Sequence, residues 1–356
     1  MPSAVSEGPQ TDALSWFELA DAMRRAHGDI LDLLGFGPDE CAYRVRAATR
    51  YWQLRDYGGP TTQQPVLIVA APIKRPYIWD LTPATSAIRY LLQNRLHVYL
   101  LEWKSPSLDG GFAGLDIYGD RGIADCVGWI STANGKRPFV IGHSLGGSLA
   151  AVHAALNADN IHGLVLLGAP LCFQPRSSGF RDAVDILAPL LRTQANIVPG
   201  SAISQLSALA SPETFIWSRL IDHAFSSLDI KAAEICLRVE RWALDEVALP
   251  GLFVRQVVQW LYQEDQFCHG ALRIRGRPAG PVAVTAPTLA VINTADMIAP
   301  RASVAPFLDR MPVGDVRLLE FTGEIGVGLQ HVALLVGPRA QAEIWPAIVG
   351  WIGEHS

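Results

Sequence analysis

The chain has 356 residues, of which 49% are hydrophobic and 18% charged, and its formal net charge is −5. This length supports a full hydrophobic core in one large domain or in a domain with a sizeable insertion. The slightly acidic balance, without a run of Lys or Arg, argues against nucleic acid or an anionic membrane as a partner. No apolar run approaches the roughly 20 residues of a transmembrane helix, so we expect no transmembrane segment.

The five cysteines are scattered and odd in number, and the sequence contains neither a C-x-x-C pair nor an H-E-x-x-H motif. This usage argues against a zinc site and a disulfide framework, and it favours a reducing compartment. The first residues also lack the basic start and apolar stretch of a secretory signal. We therefore expect a cytoplasmic protein that uses no metal and no cofactor.

In chain order, residues 16–34 carry apolar side chains at helical spacing, and Gly35 and Gly37 end this predicted helix. From residue 65 onward, short apolar runs alternate with helix-like stretches. The predicted strands cover 65–71, 96–103, 138–141 and 163–167, and the predicted helices cover 85–94, 119–131 and 145–156. Continuous apolar strands separated by helices are typical of a parallel sheet covered by helices on both faces.

The alternation stops near Pro175, and from there to Pro281 the pattern is mostly helical, with no clear buried strand. Strands are predicted again at 288–292 and 316–321, and a final helix at 338–354. The predicted organisation is an N-terminal helical segment (1–60), an α/β core (61–174 and 282–356) and a helical insertion (175–281). Such an insertion is expected to cap the ends of the strands.

The stretch VIGHSLGGSLAAV (140–152) places a G-x-S-x-G motif between an apolar strand and a helix of small residues. In that context the glycines allow a sharp turn that presents the hydroxyl of Ser144 above the sheet. The helix N-terminus and the N–H of Leu145 would then face a developing oxyanion. We expect Ser144 to be a nucleophile; the alternative is that it only caps a buried helix.

A serine nucleophile needs a base and an orienting acid, in the chain order Ser, Asp or Glu, His for this strand–turn–helix arrangement. His331 follows the last predicted strand and a glycine-rich loop, the expected place for the base. Asp296 lies in the loop after strand 288–292, the expected place for the acid; Asp245 is the alternative. Other downstream histidines lie in a helix, before a strand, in the insertion or at the C-terminus: His153, His162, His223, His269 and His355.

The second oxyanion donor is expected in the loop PIKRP (72–76), after the first strong strand. Pro72 and Pro76 have no N–H. Ile73 and Lys74 remain, and Ile73 is favoured. The insertion is expected to line an acyl pocket, and its apolar candidates are Trp217, Phe225, Trp242, Phe253 and Trp260.

With these features, the chain resembles the catalytic subunits of polyhydroxyalkanoate synthases, an α/β-hydrolase-superfamily group, and above all the shorter class that works with a partner subunit. The resemblance covers roughly residues 64–353. It implies an α/β-hydrolase fold, Asp296 and His331 as acid and base, an acyl ester or acyl-CoA substrate, and a partner subunit or a homodimer. The matching stretches are LIVAAPIKRPYIWDL, VYLLEWKSP, the Ser144 corner, RVERWALDE, YQEDQFCHGAL, ADMIAP and HVALLVGPRAQ.

The sequence departs from that family at the nucleophile, because the synthases carry cysteine where this chain has Ser144. An acyl-cysteine is a thioester, nearly isoenergetic with acyl-CoA, and retains free energy for chain extension; an acyl-serine is an ordinary ester. Serine therefore favours a hydrolase of (hydroxy)acyl esters, polyesters or thioesters. The alternatives are a serine-dependent acyltransferase or polymerase, and a non-catalytic granule- or partner-binding protein. A second departure is Gln330, in a loop (EIGVGLQ) longer than the family's Gly-Gly.

Overall fold

A mostly parallel sheet organises the fold in the computed structural model, which describes residues 10–107, 112–191, 195–227, 229–312 and 314–356. The strands are β1 (Arg44–Ala48), β2 (Trp52–Gly58), β3 (Pro65–Val69), β4 (His97–Trp103), β5 (Phe139–His143), β6 (Gly163–Leu167), β7 (Ile197–Val198), β8 (Leu249–Pro250), β9 (Leu272–Ile274), β10 (Arg277–Ala279), β11 (Thr288–Asn293) and β12 (Val316–Phe321). The larger sheet has the strand order β1-β2-β4-β3-β5-β6-β11-β12. Within this sheet, β1–β2 and β2–β4 pair antiparallel and the other neighbours pair parallel.

Helices cover both faces of this sheet, because successive side chains of a strand point to opposite faces and each face needs cover. Leu67 and Val140 join the core beneath α3 (Gly122–Asn134) and α4 (Leu145–Leu156), while Ile68 and Ile141 join the core beneath α2 (Ala87–Gln93) and α12 (Pro338–Glu354). None of the helices in the described ranges combines the length and hydropathy that crossing a bilayer requires. The helices are α1 (Gln10–Leu33), α2 (Ala87–Gln93), α3 (Gly122–Asn134), α4 (Leu145–Leu156), α5 (Gly179–Leu191), α6 (Gly200–Ala210), α7 (Ser218–Ser226), α8 (Ile230–Ala243), α9 (Gly251–Gln256), α10 (Ala305–Leu308), α11 (Ala333–Val336) and α12 (Pro338–Glu354), with π-helical segments at Ile117–Arg121, Glu213–Trp217 and Val257–Gln263.

The predicted core strands and the predicted α/β fold class are confirmed, but the N-terminal segment is not helical throughout. Strands β1 and β2 extend the sheet where only a helical segment was expected. The side chains of β1 are mostly exposed, and β2 buries Arg55, whose Nε lies 2.7 Å from Glu102 Oε2 on β4. Arg55 can be buried because it is paired with an opposite charge. A charged residue inside a strand interrupts the apolar pattern by which strands are predicted, so β2 was not predicted.

Between β6 and β11 the chain is mostly helical, and α5 to α9 lie in this insertion. It also contains two short antiparallel pairs, β7–β8 and β9–β10. These strands have two or three residues each. Strands this short leave no periodic signal in a sequence, which explains why none was predicted here.

The expectation that the cysteines form no disulfide is wrong for one pair. Cys172, after β6, is bonded to Cys268, before β9, across a sequence separation of 96. Cys41, Cys126 and Cys236 are free thiols. The pair joins two distant segments, so no local spacing motif could reveal it. A disulfide does not fit the reducing compartment that the cysteine usage predicted, and a cytoplasmic location stays a prediction.

Candidate active site

Ser144 occupies a sharp corner between β5 and α4. Its backbone angles are φ 55° and ψ −135°, a region that residues other than glycine rarely adopt. The corner brings the strand and the helix so close that a Cβ built on Gly142 would lie 2.5 Å from the Cα of Gly147. A Cβ on Gly146 would collide with the carbonyl oxygen of Val69 at the end of β3. The glycines of the motif therefore permit the turn that exposes Ser144.

The imidazole of His331 connects Ser144 to a carboxylate. His331 Nε2 lies 2.7 Å from Ser144 Oγ, and His331 Nδ1 lies 2.7 Å from Asp296 Oδ2. An ionised carboxylate only accepts hydrogen bonds, so the neutral imidazole donates from Nδ1 and accepts the serine hydroxyl at Nε2. The structure thus brings together the three residues that the sequence singled out, from the ends of β5, β11 and β12.

Asp296 is 1% exposed, and the N–H of Ile298 donates to its Oδ1 at 2.8 Å. Burial opposes its ionisation, but the His331 imidazole and backbone N–H groups outweigh burial and lower the pKa of the Asp296 carboxyl. A buried carboxylate that remains ionised can orient the imidazole and stabilise its protonated form.

The alternative acid and bases lie elsewhere. Asp245 faces Arg241 at 3.6 Å and Arg75 at 4.0 Å, and makes no hydrogen bond to a histidine among the described contacts. The alternative histidines pack or bond with other groups: His153 with Asn157, His162 with Phe139, His223 with Glu240, His269 with Asp265 and His355 with Asp315.

His143, the residue before Ser144, is a supporting residue that the sequence analysis missed. Its Nε2–H donates to the backbone carbonyl of His331 at 2.8 Å. Burial and the neighbouring His331 lower the pKa of His143 to about 3, so the ring is neutral and its Nε2 carries the proton. The motif places a histidine next to Ser144, but nothing in the sequence indicates that its ring bonds to the backbone of His331.

The two expected oxyanion donors both border the same cavity as Ser144 and His331. Leu145 is the first residue of α4, where backbone N–H groups lack a partner within the helix. Ile73 lies in the loop after β3, and its carbonyl accepts the N–H of Val247 at 3.2 Å. This bond ties the loop to the insertion, and the role of the Ile73 N–H as second donor stays a prediction.

The cavity beside Ser144 has a volume of about 500 Å³. Trp242 and Phe253 line it as expected, whereas Trp217 and Phe225 are 62% and 59% exposed. Trp260 packs against the core without lining the cavity. Most of the apolar wall comes from the insertion: Phe180, Val184, Leu187, Ile203, Leu206, Phe215, Leu249, Phe253, Val254, Val257 and Val258.

Three of the charged side chains that border the cavity, Arg24, Lys74 and Glu246, are paired with one another. Lys74 Nζ lies 3.2 Å from Glu246 Oε1 and 3.2 Å from Ser204 Oγ. Arg24 of α1 lies 3.4 Å from the other oxygen of Glu246. Burial lowers the pKa of Lys74 to about 8, against the opposing effect of Glu246. Lys74 is thus engaged through its side chain, and the network joins the loop after β3 to α1 and the insertion.

Comparison with known proteins shows the family to which the chain belongs. The sequence profile described as alpha/beta hydrolase fold matches residues 11–312. The chain is 28% identical over 333 residues to the poly(3-hydroxyalkanoate) polymerase subunit PhaC of Haloferax mediterranei, covering 91% of this chain and 65% of that protein. It is 27% identical over 327 residues to the subunit of the same name from Allochromatium vinosum, with 90% of each protein covered.

A solved structure agrees with the fold. The monoacylglycerol lipase of Paleococcus ferrophilus superposes with a TM-score of 0.55 at 19% sequence identity, over 86% of this chain and 99% of the lipase. At that identity the likeness concerns the fold alone. The chain spans slightly less than two thirds of the Haloferax subunit and nine tenths of the Allochromatium one. The chain belongs to the alpha/beta hydrolase fold family and is related, within it, to the poly(3-hydroxyalkanoate) polymerase subunits.

Proposed function

We propose that this protein is a serine hydrolase that cleaves (hydroxy)acyl esters, polyesters or thioesters through an acyl-serine intermediate, in polyhydroxyalkanoate metabolism. The observation that carries the proposal is the hydrogen-bond chain from Ser144 through His331 to Asp296, beside an apolar cavity. These residue types in this order are those of nucleophilic acyl transfer.

In the proposed reaction, His331 Nε2 takes the Ser144 proton as Ser144 Oγ bonds to the acyl carbonyl carbon. The N–H groups of Leu145 and Ile73 stabilise the resulting oxyanion, and Asp296 stabilises the imidazolium. His331 then donates the proton to the leaving alcohol or thiol as the bond to that group breaks. Water, deprotonated by the same imidazole, releases the acid and restores Ser144.

We further propose that the insertion (175–281) is a cap that binds the acyl chain. Its side chains form most of the apolar wall of the cavity, and an apolar wall with few polar groups suits an alkyl or hydroxyalkyl chain. The N–H of Val247, in the insertion, donates to the Ile73 carbonyl. This bond supports a further role for the insertion, which is to hold the loop (72–76) that carries the proposed second oxyanion donor.

Hydrolysis is favoured over polymerisation by the oxygen nucleophile. Serine depends on its base, whereas a cysteine is already partly thiolate near neutral pH. An acyl-serine also lacks the free energy that a thioester intermediate provides for chain extension. The His331–Ser144 bond supplies the base that an oxygen nucleophile requires.

The second candidate is a serine-dependent acyltransferase or polymerase acting on hydroxyacyl-CoA, because the curated relatives are named as poly(3-hydroxyalkanoate) polymerase subunits. Because those relatives are named as subunits, we also propose that this protein works with a partner subunit or as a homodimer. A non-catalytic granule- or partner-binding role is less favoured, since it gives no reason for a strained serine within hydrogen-bond distance of a histidine.

Purified protein and a Ser144→Ala control, given p-nitrophenyl butyrate and 3-hydroxybutyryl-CoA, test the proposal. We expect free acid from at least one substrate with the native protein and none with the variant. Polymer formed from the CoA ester would establish the acyltransferase instead. Absence of turnover with both substrates would favour the binding role.

A further inference from the structure

The loop that leads into the base, residues 323–330, is here called the base loop. It has positive φ at Gly323, Gly326 and Gly328, and glycines with such angles contribute no side chain to hold a loop in place. Gln330 holds one part of the loop through its side-chain amide. The amide oxygen accepts the N–H of Glu324, and the amide NH₂ donates to the carbonyl of Glu324. The middle of the base loop is held from outside, by the insertion.

Asp222, on α7 of the insertion, receives three successive backbone N–H groups of the base loop. Gly326 donates to Oδ1 at 2.7 Å, Val327 donates to Oδ2 at 2.9 Å, and Gly328 also donates to Oδ2. The residue is 7% exposed. Consecutive N–H groups that converge on one anion form a backbone nest, and bonds from such groups to an ionised carboxylate are stronger than neutral ones.

The base loop also packs closely against the next helix of the insertion. A Cβ on Gly326 would lie 2.9 Å from the Cβ of Ala232, and one on Gly328 would lie 3.2 Å from Val239 Cγ1. Both contacts are with α8. Within the described residues Asp222 makes no ion pair; beside the three N–H groups of the base loop, its Oδ2 has the Cys236 thiol of α8 at 3.9 Å.

Resting on the proposed function, we propose that Asp222 is a positioning residue: it holds the base loop so that His331 stays within hydrogen-bond distance of Ser144. His331 lies three residues beyond Gly328, and its ring must meet Ser144 and Asp296 at 2.7 Å each. A displacement near 1 Å at a reacting group can reduce a rate by about 100-fold. The insertion thereby contributes to the geometry of the base as well as to the wall of the cavity.

Asp222→Asn is the direct test, because an amide offers one acceptor oxygen where the carboxylate offers two. At least one N–H of the base loop then loses its partner. We expect kcat for p-nitrophenyl butyrate to fall by about 10- to 100-fold with KM changed by less than about three-fold. Asp222→Glu, which retains the charge at a shifted position, is expected to recover part of the loss.

Asp229→Asn is the matched control. Asp229 caps α8 of the same insertion and accepts the backbone N–H of Lys231 at 2.8 Å, and none of the hydrogen bonds or ion pairs among the described residues joins it to the base loop. The charge change is the same, and we expect kcat within about two-fold of the native value. Thermal unfolding of all variants shows whether each is folded at the assay temperature.

A substrate-free readout separates this proposal from the proposed function. The His331 Nδ1–H proton, bonded to Asp296, gives a low-field proton resonance that is assigned by its absence in His331→Gln. We expect Asp222→Asn to shift or broaden that resonance, and Asp229→Asn to leave it in place. This comparison holds even if the native protein turns over no ester. A folded Asp222→Asn with an unchanged resonance, or with native kcat, would overturn the positioning role.

Discussion

Replacing Asp296 by asparagine tests whether the buried carboxylate orients the base. The carboxylate is 1% exposed and accepts the Nδ1–H of His331 at 2.7 Å. An asparagine of nearly equal size can turn its NH₂ group towards Nδ1, which then becomes an acceptor. That arrangement moves the imidazole proton to Nε2, facing Ser144, and the ring can no longer take the serine proton.

The expected loss is large because the change affects both the tautomer and the imidazolium. A wrong tautomer in an otherwise intact triad lowers kcat by on the order of 10³–10⁴, or about 4–5.5 kcal/mol of transition-state stabilisation. The variant is expected to fold, since the amide keeps an oxygen that can accept the N–H of Ile298, which the native carboxylate bonds at 2.8 Å.

The assay is steady-state hydrolysis of p-nitrophenyl butyrate, with thermal unfolding as the check on folding. Asp245→Asn is the matched control: it neutralises the alternative acid, which faces Arg241 and Arg75 instead of a histidine. We expect the control to stay within about three-fold of native kcat, as for a partly exposed ion pair. A folded Asp296→Asn that retains kcat within ten-fold of native, or an equal loss in Asp245→Asn, would refute the assignment of the acid.

Three further predictions concern stability and the cavity. Burial raises the pKa of Glu324 from 4.5 to about 7. The folded state therefore holds this proton more tightly than the unfolded state, and stability should decrease as pH rises from about 4.5 to 7, by roughly 1–2 kcal/mol because solvent screens this partly exposed group. Urea titrations should show a flatter profile for Glu324→Gln, and identical profiles would contradict the effect. The Cys172–Cys268 disulfide spans a separation of 96, so the Cys172→Ser/Cys268→Ser double variant should lose about 2–5 kcal/mol of unfolding free energy; an unchanged melting temperature would count against it. Val257→Trp occupies part of the cavity and should reduce kcat/KM for p-nitrophenyl octanoate about ten-fold more than for the acetate; equal losses would place the acyl chain elsewhere.

Much of the core could be predicted because its physical requirements appear locally in the sequence. A parallel strand buried on both faces needs a continuous apolar run, and β3 and β6 have one. The turn at Ser144 needs small residues where strand and helix nearly touch, and the glycines around it supply them. Order along the chain then limited the choice of acid and base.

What could not be predicted depends on contacts between segments far apart in sequence. Asp222 contacts the base loop about 105 residues away, and nothing in its neighbours along the chain marks it as different from other helical acids. Cys172 and Cys268 are similarly separated. Strand β2 was not predicted because it buries a charged residue, Arg55. That residue can be buried because it is paired with Glu102 on a neighbouring strand, and the sequence alone does not show this pairing.

The central claim is that Ser144 carries the acyl group during turnover. Rapid acid quenching of the enzyme with p-nitrophenyl butyrate, followed by mass spectrometry of the peptide that contains residue 144, measures this directly. The account predicts a butyryl adduct on Ser144 that forms in the initial burst and is absent from Ser144→Ala. Turnover without an adduct on that peptide, and undiminished in Ser144→Ala, would contradict it.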